Sequence, residues 1–499
     1  MLKTAVRNTR KLIRATSQAE NIRLGRFFTK RDTAARMAEM VRPATAQTVC
    51  VLDPGAGTGI LSAALCERLC AEGTVREIHL VLYENCAAYL PILRRNLEAM
   101  RKKCRRLYGV KLIADVREEN YVLAMKEDYQ ISFFGREPER FEYIVMNPPT
   151  DRVAADSPEA LAAPDVCTGG GELTCLFVAM SAHALAEGGQ MVMLLPTVFA
   201  TAVQMGKARS ELLSLTVPTA IHLFSDPRRH TLKKTMLLAV RRGYAGEGDA
   251  VTVSVSDDAG TPEHTRIYEP LPYTTVVRGD DGTLLLLGDE EEMAVVRYMQ
   301  SLPYSFASYG LRMKTGLTLL ARYKDHLYDQ PVQGSVPLIH PASLSGGRVL
   351  FPARLRRQYL VPVIPSLTQR NRNMLLIKRV PAKGDPRRLM CGVYLASQLP
   401  GRPLISTHNK LCYIDTMRDG EMDAAFLYGL YAFLTSSVCD RYIRILSKSK
   451  QINAKELSDL PLPAPDVLRR LGAKLISVRV YTPAYCDRVV ADVMQPPVK

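Results

Sequence analysis

Phe141-Glu142-Tyr143-Ile144-Val145-Met146-Asn147-Pro148-Pro149-Thr150 is an apolar run that stops at Asn-Pro-Pro. The run reads as a buried strand whose end is set by the two prolines. Neither proline can donate to a sheet ladder, each locks its own φ, and the residue before each is pushed out of the helical region. The chain past Asn147 is therefore stiff. At the carboxyl edge of a parallel sheet, such a loop lies beside the ligand crevice of an α/β protein. There the Asn147 side-chain oxygen and the carbonyl before Pro149 are two acceptors that a rigid loop aims at one point, a pair suited to an amine carrying two hydrogens. The same residues also fit a plain Asn-Pro turn that ends a strand.

Upstream, Val49-Cys-Val-Leu-Asp53-Pro54-Gly55-Ala56-Gly57-Thr58-Gly59 runs into Ile-Leu-Ser-Ala-Ala-Leu65. This predicts a short strand, a glycine-rich turn and a helix. Gly55, Gly57 and Gly59 permit the tight turn and let a ligand approach the backbone at the helix N-terminus. A second strand, Ile78-His-Leu-Val-Leu-Tyr83, ends in Glu84 at the distance at which a carboxylate meets a ribose, or else Glu84 is a solvated surface acid. Together these predict an adenosine-containing cofactor. A nicotinamide dinucleotide and S-adenosylmethionine share this layout. Asp53 disfavours the dinucleotide, because a carboxylate repels a pyrophosphate but attracts the ammonium of a methionine moiety. A third strand, Val110-Lys-Leu-Ile-Ala114, ends in Asp115, which is placed to accept from an adenine amine or to cap a helix or turn.

At 499 residues the chain has room for two or three domains. A hydrophobic fraction of 47% with 23% charged residues excludes disorder as the general state. The net charge of +16 favours a polyanionic partner. The 11 cysteines form no C-x-x-C pair, and no histidine cluster has metal-ligand spacing, so reduced thiols in a cytoplasm and no metal are expected. The longest apolar stretch, 190–203, is too short for a bilayer and carries Pro196, so no membrane span is expected. Residues 1–23 are basic and nearly free of acids, a composition shared by transit peptides and by a basic amphipathic helix covering the next domain; the helix is the expected state.

Asp53-Pro-Gly-Ala-Gly-Thr-Gly59 followed at this interval by Asn147-Pro-Pro resembles the gamma-class DNA adenine-N6 methyltransferases, TaqI-like enzymes of type II restriction–modification systems. The likeness extends back to Leu24-Gly-Arg-Phe-Phe-Thr29-Lys30, which resembles that family's first cofactor motif and would place Thr29 near the methionine carboxylate. It extends forward through a helix and strand over 169–196 to Ala220-Ile-His-Leu-Phe224 and Thr235-Met-Leu-Leu-Ala-Val240, expected to close the sheet. Tyr309-Gly-Leu-Arg-Met-Lys-Thr-Gly316, Gly429-Leu-Tyr-Ala-Phe-Leu-Thr-Ser-Ser and Ser447-Lys-Ser-Lys-Gln-Ile-Asn-Ala-Lys-Glu-Leu-Ser-Asp-Leu-Pro-Leu-Pro463 resemble parts of the family's target-recognition domain.

The resemblance implies an α/β chain, a Rossmann-like S-adenosylmethionine-dependent methyltransferase sheet followed by a mixed α+β target-recognition domain. Its expected divisions are a basic helix over 1–23, a catalytic domain over 24–243, a strand-rich connector over 244–308 with a helix starting at Glu290, and recognition over 309–499. It implies catalysis by Asn147, Pro148, Pro149 and Thr150, and S-adenosylmethionine held by Thr29, Asp53, Gly55, Gly57, Gly59, Glu84, Asp115 and Asn147. It implies double-stranded DNA as partner, a flipped-out target base, any restriction endonuclease as a separate chain, and a cytoplasmic monomer. Thr150 departs from the family, whose motif ends in an aromatic that stacks on the base; His230, in Arg228-Arg229-His230, or more distantly Phe224, is the candidate substitute stacking face, and the same 228–230 segment also fits an exposed basic loop. Rival readings are an RNA adenine or protein glutamine methyltransferase using the same loop, and a catalytically impaired DNA-binding module. The arginine clusters 354–357, 370–372 and 441–444 suit phosphate and base-edge contacts, or solvated faces.

Overall fold

The computed structural model describes residues 1–15, 28–130, 138–167, 170–226, 231–257, 264–279, 281–382, 384–417, 420–446, 457–458 and 460–497. Residues 16–23 of the expected basic helix, 24–27 of the first cofactor motif, the 228–230 segment with His230, and residues 447–456 and 459 of the last motif lie outside them. The chain forms two compact units, Met1–Gly288 and Asp289–Lys499.

The first unit is built on strands β1 (Thr48–Asp53), β2 (Glu77–Tyr83), β3 (Lys111–Arg117), β4 (Phe141–Met146), β5 (Arg152–Val153), β6 (Gly171–Glu172), β7 (Leu185–Pro196), β8 (Thr216–Asp226), β9 (Thr231–Arg242), β10 (Ala250–Ser256) and β11 (Thr265–Ile267). The main sheet runs β3-β2-β1-β4-β7-β9-β8-β10-β11, with β5 and β6 pairing apart from it. β1 pairs parallel with β2 and with β4, β2 with β3, and β4 with β7. β9 runs antiparallel between β7 and β8. A dinucleotide-binding sheet is parallel throughout its six-strand order, so the inserted antiparallel strand separates this Rossmann-like sheet from that class.

The apolar runs read as strands are buried on both faces: Val51, Leu52, Ile78, Ile144 and Met146 are all at most 1% exposed, as expected where helices cover a parallel sheet on both sides. Those helices include α1 (Leu2–Ala15), α2 (Arg31–Glu39), α3 (Ile60–Ala71), α4 (Leu90–Lys103) and α5 (Leu173–Ala184). Every residue of α3 from Ile60 to Cys66 is buried. Among the described residues no helix is long and apolar enough to cross a membrane, and no group of three His, Cys, Asp or Glu is placed to hold a metal.

β8 and β9 are strands as expected, but they do not close the sheet. β10 pairs parallel with β8 from Thr252 opposite Ala220 to Ser256 opposite Phe224, and β11 follows it. The join is polar as well as apolar. The fully buried His222 bonds Ser254 through Nδ1 (2.8 Å) and Ser256 through Nε2 (3.0 Å), and burial pushes its pKa down to about 4. Residues 244–288 thus pack with the first unit. The break falls at Asp289, whose side chain accepts from Glu292 N (2.8 Å) and caps α6 (Glu290–Gln300).

The second unit carries two sheets of short strands, one including Leu311–Thr315, Met374–Lys378, Cys391–Tyr394 and Leu411–Thr416, the other including Val336–Ile339 and Leu404–Thr407. Beside them α7 (Ala424–Thr435) packs on α8 (Pro465–Val478). The two helices touch backbone to backbone: a Cβ at Gly429 would lie 1.8 Å from the Leu468 carbonyl oxygen, and one at Gly472 would lie 1.7 Å from that of Ala425. Glycine at both positions is a packing requirement.

Candidate active site

Register determines which residues meet at the carboxyl edge of the sheet. Asp53, the last residue of β1, pairs with Leu82, so Glu84 stands two residues beyond its level. Leu52 pairs with Ile144, so Asn147 also stands two residues beyond Asp53 on the other flank. Three predicted groups from three separate strands therefore share one edge, around the Gly55–Gly59 turn.

The turn is shaped for a ligand at the N-terminus of α3. Gly57 and Gly59 have φ of +54° and +77°, which residues with a Cβ rarely adopt. A Cβ at Gly59 would in addition come 2.9 Å from Leu93 Cδ1. The turn is clasped to β2, since Ala56 N donates to the Tyr83 carbonyl (3.0 Å) and Gly57 N donates to Glu84 Oε2 (2.7 Å). Glu84 Oε1 accepts from Cys86 N (2.7 Å). Burial pushes the Glu84 carboxyl upward against the pull of these amides. At 8% exposure, with a second lone pair on each oxygen, Glu84 suits ribose hydroxyls.

Asp53 is fully buried. Its Oδ2 accepts from Ser62 Oγ (2.5 Å), whereas Oδ1 has no hydrogen-bond partner of good geometry. Burial raises its pKa to about 7, with the Ser62 hydroxyl and amide holding it down, Glu84 raising it, and the nearby Gly55 amide lowering it slightly. A buried carboxylate with an unsatisfied oxygen is costly. A cation bound at this edge would offset that cost and an anion such as a pyrophosphate would add to it, so the group fits S-adenosylmethionine better than a dinucleotide.

Asn147 Nδ2 donates to Thr29 Oγ1 (3.3 Å), joining the two ends of the predicted site. Thr29 is positioned by its neighbour: the Phe28 ring meets Tyr89 edge-on at 5.3 Å, just ahead of α4. Pro148 is buried and Thr150 is exposed. Sequence reasoning missed Thr174, a fully buried residue in the first turn of α5, whose Oγ1 donates to the Pro149 carbonyl (2.8 Å). Its only signal was a polar residue inside an apolar helix. The loop is closed further by β5 pairing with β6 and by Leu173 N donating to the Asp151 carbonyl (2.9 Å).

Asp115 stands elsewhere than its reading implied. β3 does not end there; it continues to Arg117, and Asp115 pairs with Val81, one step below the level of Asp53. It is exposed and accepts from Arg117 Nε (2.9 Å). Arg117 holds the strand in register by also bonding Tyr83 Oη (2.7 Å) and Glu139 (2.9 Å). Behind the edge, Tyr83, Tyr121 and Phe177 form an aromatic row with ring centroids 5.1 Å apart at each step, which sequence reading also missed. Phe224 offers no stacking face, being 6% exposed with its ring edge-on to His222.

Of the arginine clusters, Arg354, Arg356 and Arg357 are exposed, and none of their side chains has an ion-pair partner among the described residues. Arg372 Nη1 donates to Thr416 Oγ1 (3.0 Å). In the third cluster Arg444 pairs with Asp440 (2.8 Å) and Arg441 with Glu291.

No protein-family model matches the chain. It is 24% identical over 463 residues to the type II methyltransferase M.BsuBI of Bacillus subtilis, covering 91% of this chain and 90% of that one. It is 23% identical over 467 residues to the type II methyltransferase M.PstI of Providencia stuartii, covering 90% and 89%. Among solved structures it is similar to the type IIG restriction endonuclease BpuSI, with 11% identity, a TM-score of 0.42, and coverage of 95% of this chain and 67% of that one. The chain is similar over about nine-tenths of its length to two type II methyltransferases, a likeness that implies S-adenosylmethionine as the cofactor.

Proposed function

We propose that the protein methylates the exocyclic N6 of adenine in double-stranded DNA at a short specific sequence, as a gamma-class modification enzyme of a type II restriction–modification system. One observation carries this reading: Asn147 stands on the Pro148-Pro149 loop beside the Gly55–Gly59 turn, bonded to Thr29. The likeness to two type II methyltransferases supports it.

The adenine amine is a poor nucleophile because its lone pair is delocalised into the ring. Asn147 Oδ1 and the Pro148 carbonyl would accept hydrogen bonds from its two N–H groups, drawing the nitrogen toward tetrahedral geometry with its lone pair directed at the methyl. The N–C bond forms as the methyl–sulfur bond breaks to leave a neutral thioether, and the methylated nitrogen then gives up one proton to solvent. S-adenosylmethionine, when bound, supplies that methyl on a sulfonium, already a good electrophile. Asp53 would meet the methionine ammonium, Thr29 its carboxylate and Glu84 the ribose, whereas Asp115, exposed one step below this edge and paired with Arg117, is left without a role toward the adenine ring. Thr174 stiffens the loop through the Pro149 carbonyl. Positioning and acceptor placement supply most of the acceleration, with no strong base required. The base reaches the loop by leaving the duplex, at a cost of a few kcal/mol. In the second unit, Arg354, Arg356 and Arg357 are assigned to DNA contacts, because Arg441 and Arg444 are already paired with acids.

Thr150 favours a second reading, an impaired enzyme that binds DNA, since an exposed threonine cannot replace base stacking worth about 1–3 kcal/mol. Expression in a methylation-free bacterial host, followed by sequencing for modified bases, tests both. Methyladenine within one short motif is expected. Modified RNA with unmodified DNA, or modified cytosine, would overturn the proposal, and cofactor binding with no modification at all would favour the impaired module.

A further inference from the structure

α1 has two unlike faces. Leu2, Ala5, Val6, Asn8 and Thr9 are buried, while Lys3, Arg7, Arg10 and Lys11 are exposed on the other side. The helix contains no acid. Like charges at three- and four-residue spacing repel one another, and none of these four, nor Arg31, has an ion-pair partner among the described residues. Together with Val6 they line a groove of about 410 Å³.

The helix is a fixed wall. Asn8 Nδ2 donates to Asn96 Oδ1 (2.7 Å), Asn96 Nδ2 donates to the Thr58 carbonyl (2.8 Å), and the Thr9 and Thr58 hydroxyls lie 2.7 Å apart. Thr58 belongs to the glycine turn, so Arg10 and Lys11 follow directly on residues bonded to the cofactor edge. At the other side of the groove, Arg31 is two residues from Thr29, the partner of Asn147. The basic groove therefore abuts the reacting edge of the sheet.

We infer that this groove binds the phosphate backbone of DNA flanking the target base, an electrostatic contact separate from base readout in the second unit. The inference rests on the proposed DNA substrate. Guanidinium and ammonium groups along a groove with no acid among its described lining residues match a row of phosphates in charge and type. Because α1 is tied to Thr58, the contact positions the duplex relative to the glycine turn.

The test uses the full-length protein and the variant Arg7→Gln/Arg10→Gln/Lys11→Gln. Labelled duplex DNA carries the motif found methylated in the expression host, either with long flanks or trimmed close to the motif. Removing a side chain that neutralises one phosphate should make the log–log salt dependence shallower by about 0.9, roughly a three- to four-fold affinity change per phosphate over a four-fold salt range. The change should appear on the long duplex and vanish on the trimmed one, with S-adenosylmethionine affinity, thermal unfolding and the methylated motif unaltered. An unchanged slope on the long duplex, or an equal weakening on both duplexes, would overturn the groove. Failure of the substrate assignment is distinguishable, since the unmodified protein would then methylate no DNA whatever the variant does.

Discussion

In the first unit the site groups hang from the ends of paired parallel strands, whereas in the second the exposed arginines sit on short strands and loops. Register alone brings Glu84 and Asn147 to equal heights either side of Asp53. Backbone and side-chain bonds then pin Glu84 to Gly57 and the Pro149 carbonyl to Thr174. Among the described residues nothing comparable converges on Arg354 or Arg356, and the glycine positions packed most tightly in the second unit are those of the helix contact at Gly429 and Gly472. A site that performs chemistry needs atoms held to within a fraction of an ångström, and strand ends provide that. A surface that meets phosphates tolerates looser placement, because charge acts over a Debye length.

The sharpest way to break this contrast is Asn147→Ala. Methyl transfer should fall by on the order of 10²–10³-fold or more, as when a preorganised polar group is removed from a reacting centre, while cofactor affinity measured by calorimetry stays close to that of the parent. Turnover like the parent's would refute the catalytic role. Gly472→Ala should strike the second unit instead, at the upper end of the overpacking cost of about 3 kcal/mol, since the Cβ would meet the Ala425 carbonyl at 1.7 Å. Denaturant titration should show the loss while S-adenosylmethionine still binds; a stability unchanged by the substitution would show that α7 and α8 part at no cost.

Glu84→Ala is expected to weaken cofactor binding by about 1.5–3 kcal/mol, the worth of hydrogen bonds to a charged group, with the released Gly57 amide adding disorder to the turn. Unaltered affinity would reduce Glu84 to a brace for the loop. The smallest effect concerns Asp53. Its folded pKa is about 7 against an ordinary value of 3.8, so the folded chain keeps a proton that the unfolded chain has lost. The stability contributed by that proton is complete below about pH 4 and disappears as pH rises through 7. Cofactor affinity should move the other way, rising up to about ten-fold per pH unit below 7 as the carboxylate facing the ammonium ionises. Isotherms from pH 6 to 8 check this, and Asp53→Asn should flatten both profiles.

Much of the edge was legible because it is local. Gly55, Gly57 and Gly59 sit between a strand and a helix, and two prolines stop the strand after Asn147, so each pattern is contained in a few neighbouring residues. The end of β3 was misplaced by two residues because its outer part is polar, held in register by Arg117 bonding Tyr83 and Glu139. Composition ends the sheet at β9 because β10 lies in a stretch rich in Gly, Asp and Thr, although Val251 and Val253 are wholly buried. Thr174 stands out only as a polar residue in an apolar helix, and its role is not local, since its partner carbonyl is 25 residues away.

The sequence by itself determined the strands, the glycine turn, the stiff Asn-Pro-Pro loop and the basic face of α1, because these follow from backbone sterics, periodicity and charge within short windows. Only the tertiary structure decided which of them meet. Parallel pairing set Glu84 and Asn147 level with each other and Asp115 below them. Burial turned Asp53 into a carboxyl with an unsatisfied oxygen, and acids across a contact partly compensate the charge of the exposed Arg441 and Arg444. The physical reason is that register, desolvation and pairing depend on what lies across a contact, and no short window of sequence contains both sides.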